Sequence, residues 1–302
     1  MEQVNLSNRN FNTISPSAKW ILLMKGYTNI PFARETAELI SYPEKFIPDY
    51  TKTNMTFWAR TVHFESRYWS IDNLLEDLSP GNILELSSGY SFRGLDATKQ
   101  KGVYYIDTDL PDVIAEKIDL LIALKNGSSP TDGKLELLPL NALDEVQFQQ
   151  TVDRFPDGPI VIVNEGLLMY LDTSEKEKLC RIVHKMLENR GGYWITADIY
   201  LKNMQRELDL KVDHRTQQFF EQHKLEDNKF ESFGEAEAFF NKMGFVVEKE
   251  AKIKRSKLSS LKYLMKSVTV KQLFKFRKAG KIQTSWRLRL AENTKNKVQC
   301  GT

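Results

Sequence analysis

The spacing of apolar and polar positions divides the chain into two styles. Residues 17–24 form an apolar-rich stretch that stops near Gly26, and residues 32–41 and 56–78 repeat the helical spacing at greater length. Ser79, Pro80 and Gly81 then end the helical pattern. From residue 82 onward, short apolar runs alternate with helical stretches. Residues 82–86, 103–106 and 135–138 read as the first three strands. Residues 159–164, PIVIVN, are continuous and β-branched, as in a strand covered on both faces. Residues 193–197 read as a fifth strand. Helices are predicted between them, at 111–125 with a proline in the first turn, and at 173–189. Asp172 and Glu175 have capping-box spacing before the latter, and Gly191 and Gly192 supply its stop. Residues 201–230 break the rhythm as a polar, charged helical insertion. A helix at 235–243, a strand at 245–248, a basic helix at 257–278 and an alternating strand at 285–290 complete the pattern. Strands and helices alternating at this spacing predict an α/β fold whose parallel sheet has helices on both faces.

Ligands of open α/β sheets bind at the carboxyl ends of the strands, near the point where strand order reverses. The strand ends are therefore where the chemistry is expected. The first runs into ELSSGYS at 85–91, a turn of small residues that lets a ligand approach the backbone and the amides of a helix start. An ordinary tight turn has the same composition. The second ends in YIDTD at 105–109, and an acid there can accept the hydroxyl protons of a ribose. Asp109 is equally placed to cap the next helix. The loop and the acid together, about twenty residues apart, point to an adenosine-containing cofactor. They do not separate a nicotinamide dinucleotide from S-adenosylmethionine. After the third strand, LPLNALD at 138–144 offers a polar group near where an adenine would lie, and a solvated loop reads equally well. The fourth strand delivers Glu165 to the edge of the core, where an unpaired charge would be costly. It would face either the ammonium of a methionine moiety or an internal Lys or Arg.

In this order the segments resemble the leucine carboxyl methyltransferase-like family of S-adenosylmethionine-dependent O-methyltransferases, which includes bacterial polyketide-type members. Lys19 followed by Gly26 and Tyr27 resembles the family's N-terminal lysine segment, and FWARTVH at 57–63 resembles its F-A-R-V-H segment. Residues 86–93 occupy the place of its L-G-A-G-x-D-x-R loop, and DTDLP at 107–111 is similar to its E-V-D-x-P. NEGLLMYL at 164–171 is similar to its A-E-G-V-L-M-Y-L. The resemblance runs from about residue 17 to 201 and more loosely to 290. It implies a class I methyltransferase, Rossmann-like fold: a seven-stranded, mostly parallel sheet ending in an antiparallel strand. An N-terminal helical lid would span 1–80 and the cofactor-binding core 81–302, with the insertion at about 201–230. It also implies that Lys19 and Arg60 clamp the cofactor's carboxylate. Ser87 and Gly89 would lie under the methionine moiety. Asp107 and Asp109 would serve the cofactor, with Asp109 on the ribose. Asn141 and Ala142 would flank the adenine, and Glu165 would face the methionine end. The loop departs from the family pattern, because Ser87, Ser88 and Ser91 stand where glycine, alanine and aspartate are usual. Serine adopts positive φ less readily than glycine.

The implied reaction needs alignment and exclusion of water, because the sulfonium donor is already activated. A carboxylate acceptor needs no general base, whereas a hydroxyl needs a base or a polarising neighbour. Tyr170, His63 and Asp198 are the candidates for that role, on a small-molecule or protein substrate. Arg60 could instead pair with Glu65, and Lys19 could be surface charge.

Composition changes this picture only at the C-terminus. Two cysteines among 302 residues exclude a disulfide scaffold and a cysteine-rich zinc site, and no metal site is read. No apolar run approaches the ~20 residues of a bilayer span, and the polar N-terminus lacks a secretion signal, so a cytoplasmic protein is expected. The formal net charge of +3 hides an asymmetry. Residues 251–290 hold 13 Lys and Arg and no Asp or Glu, which leaves 30 basic against 40 acidic residues elsewhere. That segment suits either a packed helix with a solvated cationic face or an anionic partner. An RNA methyltransferase is one alternative, although Glu165, Gly166 and Leu167 replace the Asn/Asp-Pro-Pro-aromatic loop of base-methylating enzymes. A non-catalytic cofactor-binding or scaffold protein is another. A dehydrogenase is a third, lacking G-x-G-x-x-G.

Overall fold

Residues 15–79, 81–125, 132–202 and 214–292 are described by the computed structural model. Three helices open the chain: α1 (Ser15–Lys25), α2 (Ala33–Ser41) and α3 (Met55–Leu75). Then come β1 (Asn82–Leu86), α4 (Arg93–Ala97), β2 (Tyr104–Asp109), α5 (Pro111–Lys125) and β3 (Lys134–Pro139). α6 (Glu145–Val152), β4 (Ile160–Asn164), α7 (Thr173–Arg190) and β5 (Gly192–Tyr200) follow. The C-terminal part holds α8 (His214–Gln222), α9 (Phe233–Lys242), β6 (Phe245–Glu250), α10 (Leu261–Ser267), α11 (Val270–Ala279) and β7 (Gln283–Leu290).

The seven strands form one sheet in the order β3-β2-β1-β4-β5-β7-β6, and β7 alone runs antiparallel to its neighbours. This is the class I methyltransferase fold expected from the sequence. The period-2 alternation of a strand separates two cores. Leu84, Ile106, Ile162 and Trp194 point to one face, under Phe148 of α6, Val183 of α7 and Phe240 of α9. Ile83, Tyr105, Val161 and Ile195 point to the other, under Ile71 and Leu74 of α3. The end of α3 thus covers the sheet, while its start meets α1. Strand order reverses between β1 and β4, which places the crevice at their carboxyl ends.

Local signals explain several boundaries. Asp172 and Glu175 close the capping box at α7 as expected, each side chain accepting from the other's backbone amide. β5 is longer than the predicted 193–197, and pairing with β7 carries it to Tyr200 through a register shift between Thr196 and Ile199. Residues 203–213 of the expected insertion lie outside the described residues, as does Pro80, and α8 occupies part of the remainder. The single basic helix expected at 257–278 is instead two, α10 and α11. Thr269 and Gln272 form a second capping box at the break, and that box starts a new helix. Glu65 of α3, fully buried, anchors this region. It accepts from the backbone amides of Ser259 and Ser260 at 2.8 and 3.0 Å and from both hydroxyls at 2.5 Å. It therefore does not pair with Arg60. Among the described residues no helix is long and apolar enough to cross a membrane.

Candidate functional site

A cavity opens at the carboxyl ends of β1, β2 and β4, with α1 along one side. It contains about 1130 Å³ of space, counting open solvent at its mouth. Its first wall is the loop after β1. There Ser87 has φ 51° and Gly89 φ 54°, so two residues within three adopt left-handed backbone. Glycine does this without penalty, whereas serine pays for its Cβ. A Cβ at Gly89 would also lie 3.4 Å from that of Ala18 on α1. The loop is held from below. The Ser88 amide donates to Thr108 O at 3.0 Å, and Lys117 of α5 donates to Ser88 Oγ at 2.8 Å. Lys117 is wholly buried and also donates to both carboxylate oxygens of Asp107, at 2.9 and 2.7 Å. Asp107 therefore supports the loop and does not line the cavity.

Asp109 does line it. Its Oδ2 accepts from the Gly89 amide at 2.7 Å and its Oδ1 from the Leu110 amide at 2.7 Å. Burial raises its carboxyl, and the two amides oppose that rise. Asn141 and Ala142 form the neighbouring wall, where the Leu143 amide donates to Asn141 Oδ1 at 3.0 Å.

The opposite wall is charged. Glu165 Oε1 accepts from Lys25 Nζ at 2.7 Å and lies 3.6 Å from Arg67, while Oε2 lies 3.3 Å from Arg93. Burial alone would raise the Glu165 carboxyl. Lys25, Arg67 and Arg93 outweigh burial and hold it at about 2. Burial lowers Lys25 despite this partner. Arg67 also donates to Tyr200 Oη at 3.0 Å, yet its Nε is buried without a hydrogen bond, as is Ser91 Oγ on the loop wall. Gly166, at φ 90°, leaves room for Arg67, since a Cβ there would approach its guanidinium to 3.0 Å.

Lys19 and Arg60, the two cations selected from the sequence, do not line the cavity. Lys19 pairs with Glu116 at 2.6 Å on the outside of α1, and Glu116 also accepts from Tyr90. The Arg60 guanidinium lies 5.3 Å from the Trp20 ring. Lys25 and Arg67 take the inner positions instead. Arg67 is seven residues beyond Arg60, on the same helical face but about 10 Å farther along the axis. Periodicity finds the face and not the turn. Only the length of α3 below the sheet edge decides which turn reaches Glu165.

Of the three catalytic candidates, Tyr170 lines the cavity. Its hydroxyl shares a hydrogen bond of 3.1 Å with Ser17, and burial raises its pKa, so it stays protonated. His63 lies behind the wall, 2.7 Å from the Tyr200 hydroxyl. Burial, aided by Arg67, pushes it down to about 3, which makes it a neutral packing group. Asp198 is saturated, since it accepts from Asn164 Nδ2 at 2.6 Å and from the amides of Gly166, Leu167 and Leu168 at 2.7, 2.7 and 3.1 Å. It shapes the loop after β4 and does not line the cavity.

No family model and no curated protein matches the chain. Solved structures do. A DUF574 family protein from Streptomyces avermitilis aligns over 91% of this chain and 97% of its own, at 13% identity and a TM-score of 0.54. The mitomycin 7-O-methyltransferase MmcR aligns over 92% of this chain and 68% of its own, at 14% identity and a TM-score of 0.45. OxaC aligns over 78% of this chain at 12% identity and a TM-score of 0.44, and the matched part spans about half of OxaC (52%). At these identities the likeness is one of fold.

Proposed function

We propose that this protein is an S-adenosylmethionine-dependent O-methyltransferase of the leucine carboxyl methyltransferase type, acting on a carboxylate of a small molecule. The observation that carries this reading is the pairing of Asp109 with the Gly89 amide at one end of a cavity whose other end is Glu165. The residues present fit the cofactor. Asp109 offers a buried carboxylate to ribose hydroxyls, and Asn141 and Ala142 bound a space for adenine. Glu165 bounds the methionine end, where Lys25 and Arg67 beside it offer positive charge to a carboxylate. Arg67 Nε and Ser91 Oγ are buried polar atoms with hydrogen-bonding capacity to spare. When bound, the cofactor supplies a methyl group already activated on a sulfonium. The chain's task is then to orient the acceptor and exclude water. A hydroxyl acceptor would need a base. The carboxylates on this cavity wall are engaged, Glu165 by three cations and Asp109 by two amides. A carboxylate acceptor needs no base and suits such a wall.

Calorimetric titration with S-adenosylmethionine and S-adenosylhomocysteine tests the cofactor. Both should bind, and Asp109→Ala should weaken binding by roughly 10- to 100-fold through the lost charged hydrogen bonds. No heat from either ligand would sink the reading. Transfer of a labelled methyl group to a carboxylate panel tests the acceptor. The product should release methanol in mild base, as an ester does and an ether does not.

A further inference from the structure

No residue of α10 or α11 is buried. On α11 the half-buried Leu273 and Phe276 already form an inward-facing side. Val270 and Phe274, one turn apart on the outer side, are left 72% and 64% exposed. At 100° per residue, Lys271 and Lys278 flank this apolar pair on one side and Arg277 flanks it on the other. All three cations are exposed. The adjoining turn and α10 form a shallow groove lined by Arg255, Lys257 and Lys262 around Leu258 and Met265, with no acidic residue on its wall.

We propose that this surface docks the protein on an anionic lipid bilayer. Val270 and Phe274 enter the headgroup boundary, and the cations beside them meet lipid phosphates. Charge complementarity selects the partner. Of the thirteen cations in residues 251–290, Lys281, Arg287 and Arg289 pair with Glu250, with Asp77 and Glu248, and with Glu292. Arg255, Lys257, Lys262, Lys271, Arg277 and Lys278 stay exposed, while the chain outside the segment is net acidic, so an anionic plane would orient the molecule with these cations toward it. Exposed apolar side chains flanked by Lys and Arg mark helices that lie in a membrane interface. Single-stranded nucleic acid instead needs a series of aromatic faces on which successive bases stack, and Phe274 is the one aromatic side chain of this apolar pair.

Flotation of the full chain with vesicles tests the proposal. Vesicles of phosphatidylcholine containing about one-third phosphatidylglycerol should carry the protein, and pure phosphatidylcholine vesicles should not. Raising salt to ~0.5 M should weaken the binding strongly. Lys271→Ala with Arg277→Ala and Lys278→Ala should lower affinity roughly 100-fold, at about fivefold per cation. Val270→Ser with Phe274→Ser should lower it roughly tenfold or more by removing the inserted apolar area. Unchanged thermal melting of both variants excludes misfolding as the cause. Equal flotation with neutral and anionic vesicles, no flotation with either, or indifference to the Val270 and Phe274 changes would overturn the proposal. So would binding to a single-stranded RNA homopolymer in preference to the anionic vesicles.

Discussion

Lysine and arginine serve opposite ends in two regions of this molecule. At the strand ends, Lys25, Arg67 and Arg93 are 7%, 3% and 2% exposed and converge on Glu165. On α11, Lys271, Arg277 and Lys278 are exposed, their segment 251–290 holds no acid, and no residue of the helix is buried. A buried cation survives only with a carboxylate beside it, so it becomes part of the framework. A solvated cation costs the fold little, so its charge stays available to something outside.

The largest break in this comparison should come from Glu165→Gln. Three buried cations would lose their shared counter-charge, at a cost of about 3–5 kcal/mol in denaturant unfolding. A loss under ~1 kcal/mol would mean that solvent already screens the cluster. Acid should come next. His63 titrates near 3 in the fold against 6.5 when unfolded, so its contribution is full above pH 6.5 and is lost as pH falls toward 3. Between pH 6.5 and 4.5 the loss is on the order of 2–3 kcal/mol. Below 4.5, Glu165 adds a second loss that extends to about 2. Melting temperatures across this range should fall in that order, and His63→Gln should flatten the upper limb only. Ser87→Gly relieves a left-handed serine and should stabilise by about 1 kcal/mol. A destabilised glycine variant would show that the Ser87 side chain holds the loop. The smallest effect belongs to the basic region, where Val270→Ser with Phe274→Ser should move stability by no more than about 0.5 kcal/mol. A larger loss in thermal melting would show that α11 is part of the core.

Much of the fold was legible in the sequence because its signals are local. The alternation of apolar runs gave the sheet, the continuous run at 159–164 gave its centre, and Asp172 with Glu175 gave the start of α7. The capping-box spacing of Thr269 and Gln272 is equally local, but it lies within a long basic stretch of even composition. The cavity was only half legible. Gly89, Asp109, Asn141, Ala142 and Glu165 lie at strand ends or within three residues of them, and strand order brings such positions together without help. Lys25 and Arg67 sit on helices, where reaching the cavity depends on how far a helix extends past the sheet. No spacing within one helix encodes that distance. The sequence leaves Asp198 open as a proton acceptor, since its donors, Asn164 and the three residues at 166–168, come to it only through the pairing of β5 with β4.

That partnership has a kinetic meaning. Asp198 accepts from three successive amides and thereby fixes the backbone of residues 166–168, of which Gly166 and Leu167 line the cavity. A ligand arriving there meets a surface already in its final shape, so capture should resemble a simple second-order encounter. Its observed rate should rise in proportion to ligand concentration, without the plateau that a slow rearrangement of that backbone would impose.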